Sequence, residues 1–291
     1  RHVLEKGTMK RTRRATQVAV WGVLGLAFAA SAQAQTPAPS PEPPKIDVTV
    51  YVDVYYGYNF NGVDPTFRTF DIQHNTFSLS AVEVDFAKAV TPESRVGFRT
   101  DLFFGKAADL TAMFEPEEDG KEIYKHIQQA DVSLLTGKVT WEVGKFNTPI
   151  GAEVIESQDN WNYTRSILFG YAIPFYHVGA RATLQATDEV SVAGYVVNGW
   201  NNASEWNDEK TVIANLTVKP SSKVAFYANG ITGKEFDGAP TRSLFDTTLS
   251  VSLGDKLSLM GNYDYGKEGE ASWWGAAAYL KLQATPSWAL A

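Results

Sequence analysis

From Ile46 to Phe60 the chain alternates apolar and polar residues without a break. Positions 46, 48, 50, 52, 54, 56, 58 and 60 are Ile, Val, Val, Val, Val, Tyr, Tyr and Phe, whereas Asp47, Thr49, Tyr51, Asp53, Tyr55, Gly57 and Asn59 are mostly polar or small. Successive side chains of a β-strand point to opposite faces, so a period of two marks a strand. A typical globular strand has about five or six residues, and this one is far longer. One apolar face of that length needs an apolar medium along all of it. A barrel wall in a bilayer supplies lipid on that side and a wet lumen on the other.

The pattern recurs over 95–104, 138–144, 176–186, 211–219 and 273–284, and less clearly over 76–89, 127–135, 190–200, 223–230, 243–252 and 256–265. In 76–89 the phase slips between Ala81 and Val82, which predicts a bulge. The stretch 190–200 is apolar on both faces and gives no orientation. This predicts twelve strands and the start of another after Ser287. Short turns at 90–94, 136–137, 187–189, 220–222, 253–255 and 285–286 alternate with long loops at 61–75, 105–126, 147–175, 201–210, 231–242 and 266–272. Short periplasmic turns alternating with long extracellular loops are the layout of an outer-membrane barrel. A first connection that is long then places the N-terminus in the periplasm. Tyr56, Tyr58, Phe60, Phe104, Tyr176, Trp200, Tyr265 and Trp274 fall near the long-loop rim, as an aromatic girdle at a lipid–water interface would.

The N-terminus predicts export. A basic run, Lys10-Arg11-Thr12-Arg13-Arg14, precedes an apolar stretch from Val18 to Ala30 and a small-x-small site at Ala32-Gln33-Ala34. That is the plan of a cleavable signal peptide over 9–34, too short in its apolar core for a spanning helix of about 20 residues. Residues 1–8 precede Met9 and read as an upstream non-native extension. Five prolines in residues 35–45 predict an extended linker, leaving 46–291 for the barrel.

Composition narrows the function. The chain has 26 basic and 33 acidic residues, a net charge of −7, and six of the basic residues with one acid lie in the first 34. The remainder therefore holds 20 basic against 32 acidic residues, or −12. Nucleic-acid binding rests on basic side chains and is not expected. With no cysteine there is no disulfide framework and no thiolate metal site. No motif of catalysis or phosphate binding is present. The acidic run Glu115-x-Glu117-x-Asp119-Gly120 echoes a calcium loop, but its twelfth position is His126 where a bidentate Glu belongs, so a solvated acidic loop is the better reading. His74, His126 and His177 show no metal-ligand spacing, and Glu153 with Glu156 read as two loop acids rather than a catalytic pair. No enzyme activity, cofactor or metal is expected.

Residues 144–156 (GKFNTPIGAEVIE), 159–166 (DNWNYTRS), 171–181 (YAIPFYHVGAR) and 197–202 (VNGWNN) resemble the β-barrel porin family of the OmpL-like type. The match is dense over these segments and looser over the rest of the chain after residue 34. The resemblance implies an outer-membrane porin. An up-and-down antiparallel barrel of this strand count encloses a lumen too wide for side chains alone to fill, so passive diffusion of small hydrophilic solutes or ions is the expected function, with a homotrimer among the assemblies open to it. Barrels of this family usually finish on a strand ending in an aromatic residue. This sequence stops at Ala291, partway into a strand, so the closing strands are expected to lie beyond it. The alternative is a surface β-rich adhesion protein without a conducting pore.

In general porins the third long loop folds inward and narrows the channel, and by that analogy loop 147–175 is the candidate constriction. It carries Glu153, Glu156 and Asp159, with Arg165 beyond. The alternation aims Arg99, Asp101, Glu142, His177 and Arg181 at the lumen as pore wall. A net acidic loop against mixed walls predicts a modest cation preference.

Overall fold

The computed structural model describes residues 45–113, 115 and 121–291. The signal-peptide reading (9–34), the upstream extension (1–8), the linker up to residue 44, and Glu117 and Asp119 of the acidic run lie outside the described residues.

Thirteen strands follow in chain order: β1 (Asp47–Gly57), β2 (Thr76–Lys88), β3 (Val96–Phe104), β4 (Ile127–Thr136), β5 (Val139–Asn147), β6 (Tyr176–Gln185), β7 (Val190–Val197), β8 (Thr211–Ser221), β9 (Val224–Gly233), β10 (Arg242–Leu253), β11 (Leu257–Glu268), β12 (Ala271–Thr285) and β13 (Trp288–Leu290). They form one antiparallel meander in which each strand pairs with its sequence neighbour. Among the described residues three short helices sit in the long connections: α1 (Lys106–Thr111), α2 (Lys121–Tyr124) and α3 (Ile167–Tyr171).

The faces are inverted relative to a soluble sheet. Outward-facing apolar side chains are exposed, Val54 at 66% and Trp274 at 72%, while inward-facing Asp101, Asp246 and Asp264 are fully buried. Water would reject such an exterior, and the hydrocarbon core of a bilayer accepts it. The sheet is also strongly rolled. At about 4.8 Å per strand, β1 and β12 would lie about 50 Å apart in a flat sheet. Yet Ser157 bonds Tyr51 of β1 and Glu153 bonds Tyr279 of β12. Those two loop residues can be separated by at most about 14 Å of extended chain. The meander therefore curls around the loop, as a barrel does.

The expected bulge is present, slightly earlier than the sequence placed it. Asp53 pairs with Ala81 but Val54 pairs with Leu79, leaving Ser80 as the extra residue. The unoriented strand β7 turns Val192 and Val196 outward and Ala193, Tyr195 and Val197 inward. Its inner face is apolar because it packs on protein: the Tyr195 ring lies 5.8 Å from that of Phe146. Two girdle residues are corrected. Tyr176 is fully buried, its hydroxyl bonded to Glu115 and the Asn201 carbonyl, and Trp200 packs edge-on against Trp273 at 6.3 Å. Both belong to the interior. Tyr56, Tyr58, Phe60, Phe104, Tyr265 and Trp274 are exposed as a girdle requires.

Candidate functional site

A barrel of twelve or more strands is too wide for wall side chains alone to fill, so loops decide what its interior looks like. Several long loops fold inward here, and two of them carry helices. After β3 the chain turns at Gly105, with φ +102° and an ideal Cβ only 2.6 Å from the Ser80 carbonyl oxygen, a place for glycine alone. Helix α1 follows and buries Ala107, Ala108 and Thr111.

The second inward loop spans residues 148–175, between β5 and β6. Its shape is set locally. The Asn160 side chain accepts from the Val154 amide and donates to the Val154 and Glu156 carbonyls, all at 2.9 Å. Ser166 caps α3 by accepting from the Phe169 amide at 3.3 Å. Glu153 sits buried behind that cap, accepting from the Ser166 amide and hydroxyl and from the Tyr279 hydroxyl.

From these points the loop reaches β1, the long connection between β1 and β2, and β12. Ser157 is 2.6 Å from the Tyr51 hydroxyl, Tyr163 donates to Asp53 at 2.9 Å, and Thr164 donates to Asp71 at 2.7 Å. Phe70, Phe169 and Phe175 form an aromatic cluster with ring separations of 5.3 to 6.4 Å, and the Arg165 guanidinium lies 4.9 Å from the Phe70 ring. On β12, the Trp273 indole donates to the Ala172 carbonyl at 3.3 Å.

The residues singled out from the sequence divide into distinct roles. Glu153 and Arg165 are internal fasteners: Arg165 donates to the carbonyls of Val154, Ile155 and Tyr163. Burial pushes its pKa down. Asp159 is exposed at the end of a 3₁₀ turn, Ser157–Asp159. Glu156 is partly buried and its pKa is raised, chiefly by burial. On the wall, Arg181 holds Glu142 through two 2.6 Å bonds across β5 and β6. Arg99 donates to both oxygens of Asp101 at 2.9 and 2.7 Å. His177 is fully buried, bonded to Thr148 at 3.1 Å and to the Gly199 carbonyl at 2.9 Å, so it lies under the loop and away from open water.

The structure adds two polar groups that the sequence reasoning did not single out. One is a ladder across β8–β11: Asn215 donates to Asn229, and Asn229 and Asn262 donate to Asp246, at 2.6 to 2.7 Å. The other is acidic. Asp85 of β2 stands directly opposite Asp101 of β3, with Glu83 two residues along the same face. Carboxylate oxygens of Glu83, Asp85 and Asp101 lie within 4.8 Å of one another. Like charges facing across a sheet are unfavourable, so this is an arrangement that general stability does not explain. The inward phase of β2 was the available signal, obscured by the bulge at Ser80.

An apolar belt outside, a polar interior and long loops folded into it define an outer-membrane β-barrel channel. Residues 45–291 match the family model described as "Putative beta-barrel porin-2, OmpL-like", and the chain belongs to that family. It is similar to the outer membrane channel DcaP of Acinetobacter baumannii, with 10% identity, a TM-score of 0.50, and coverage of 83% of this chain and 75% of that one. It is also similar to the loop L8 deletion mutant of OmpT, an outer membrane protein of Vibrio cholerae, with 11% identity, a TM-score of 0.49, and coverage of 82% and 78%. The likeness to DcaP bears on the fold alone. No curated protein sequence matches the chain. The protein is thus an outer-membrane porin, and the adhesion alternative gains no support.

Proposed function

We propose that the protein is a passive diffusion channel for small hydrophilic solutes and ions, without catalytic activity, in which loop 147–175 sets the constriction. The observation that carries this reading is the bridging of that loop between β1 and β12, through Ser157–Tyr51 and Glu153–Tyr279. A loop tethered on both sides of the interior stands in the path of any solute. The charge that the loop leaves exposed to that path is Asp159. On the wall, Arg99 stands among Glu83, Asp85 and Asp101. Fixed carboxylates at a narrow point favour cations, so a modest cation preference follows.

The proposed orientation puts the N-terminus in the periplasm and the long loops outside the cell, following the alternation of short turns and long loops. The proposed assembly is a homotrimer, to be read as mass in detergent. The channel test is conductance of the folded protein in a planar bilayer, with reversal potential under a salt gradient. Discrete conductance with a cation-favouring potential is expected. A folded, membrane-inserted protein that does not conduct would sink the proposal.

A further inference from the structure

We propose that Glu83, Asp85, Asp101 and Glu156 form a binding site for a hard divalent cation, Ca²⁺ foremost, that fastens loop 147–175 to the wall made by β2 and β3. Glu83 and Asp85 project from β2 and Asp101 from β3, on neighbouring positions of one face. Glu156 is carried over them by the adjacent Ser157, whose hydroxyl and amide both bond the Tyr51 hydroxyl. Tyr51 is itself paired with Glu83 across β1 and β2. Glu156 interacts electrostatically with Glu83, Arg99 and Asp101.

Two observations point to a ligand beyond the clustering of acids. Glu83 is only 2% exposed, and its Oε1 is buried with no hydrogen-bond partner. Asp85 Oδ1 and Glu156 Oε1 are buried and unpartnered in the same way. Buried acceptors normally find donors, and here Glu83 and Asp85, two of the three grouped wall acids, each leave an oxygen without one, with a third such oxygen on Glu156 of the loop. Arg99 bonds Asp101, and both of its hydrogen bonds go there. One guanidinium therefore meets four carboxylates. The wall oxygens lie within 4.8 Å of one another, close enough for one ion with bonds of about 2.3–2.6 Å, as Ca²⁺ makes, to be shared among them. Mg²⁺ demands a tighter octahedron with ligands about 2.0–2.1 Å away. A donor set of carboxylates without imidazole or thiolate selects hard cations over zinc or copper. The site does not require that the loop be the narrowest point of the channel.

The test uses the folded, metal-stripped full chain in detergent. Isothermal titration with CaCl₂ should give one ion per chain and a rise in unfolding temperature. Glu83→Gln and Asp85→Asn should each weaken binding at least tenfold and abolish that rise. Glu189→Gln, in the exposed turn before β7, should leave both unchanged. If the wall variants fail to fold, Glu156→Gln in the loop should show the same loss. Absence of binding at millimolar Ca²⁺ would overturn the proposal. So would a protonated-carboxyl infrared band at neutral pH that Glu83→Gln or Asp85→Asn removes and that Ca²⁺ leaves in place, since these carboxylates would then be sharing protons. Binding is read without conductance, so failure here and failure of the channel reading are separable.

Discussion

The Tyr279 hydroxyl donates to Glu153 Oε2 at 2.9 Å, joining β12 to the inward loop across 126 residues of sequence. The same carboxylate accepts from the Ser166 amide at 2.9 Å and from its hydroxyl, so one buried side chain ties the wall, the loop and the cap of α3 together. An amide offers only one acceptor oxygen and turns donors toward donors. Glu153→Gln should therefore destabilise the fold by about 1–3 kcal/mol. Tyr279→Phe, which removes one of the bonds, should cost about 1 kcal/mol. Heat-modifiable migration on a gel gives the order, with wild type melting last and Glu153→Gln first. Equal melting of Glu153→Gln and wild type would show that the fastening contributes nothing.

That fastening could not be read from the sequence, although much else could. The strand periods, the turn positions and the bulge near Ala81 are local features, fixed by alternation and turn chemistry. Local rules also put Arg99 and Asp101 on one face of β3, where they bond each other, and Glu142 and Arg181 on the facing side chains of β5 and β6. Whether a loop acid faces water or another part of the chain is a tertiary question. Glu153 and Asp159 are six residues apart and both acidic, yet one is buried under three donors and the other is exposed. The Glu83–Asp85–Asp101 group depends on the register between β2 and β3, which no single strand reveals. Tyr176 and Trp200 look like girdle residues by position and differ only because inward loops cover them.

The ion pair between Glu142 and Arg181 offers a second test. Both side chains are mostly shielded, 16% and 24% exposed, and the Arg181 guanidinium also lies 4.8 Å from the Phe146 ring. Removing one partner strands the other in a poorly hydrated place. Arg181→Met should cost about 3 kcal/mol, and Arg181→Lys a large part of that, because an ammonium cannot reproduce the two-pronged contact. The double variant Glu142→Gln/Arg181→Met should recover stability relative to Arg181→Met. Chemical denaturation in detergent measures these three and Glu142→Gln alone, and strictly additive losses would show that the pair is not coupled.

Acid should strengthen the fold around Glu235. This loop residue is buried, and burial, its largest influence, raises its pKa. A folded-state pKa above the unfolded value contributes stability that is complete below the unfolded value, about 4.3 for Glu, and is lost as pH rises through the folded value. Lowering the pH from neutral toward about 5 should raise the unfolding temperature through this group. Glu235→Gln still offers an oxygen to the Trp200 amide, which now donates to Glu235 at 2.8 Å. The variant should keep its stability at neutral pH and show a flatter pH profile. An unchanged slope in the variant would rule this group out.

Asp159 is the cleanest probe of the proposed constriction. It is exposed, it carries its charge at the end of the Ser157–Asp159 turn, and its carboxylate holds no other part of the loop in place among the hydrogen bonds described. Asp159→Asn therefore changes charge with little change in shape. If the loop narrows the channel, removing one fixed negative charge there should shift the reversal potential toward zero and leave the unfolding temperature within about 0.5 kcal/mol of wild type in equivalent stability. Single-channel conductance for cations should fall modestly, and most at low salt, where screening is weakest. Glu153→Gln could alter the same currents by loosening the loop, so it cannot separate charge from structure. Asp159→Lys extends the series by reversing the sign, and it should move the potential further in the same direction. Reversal potentials that are identical for wild type, Asp159→Asn and Asp159→Lys would place the selectivity of this porin somewhere other than loop 147–175.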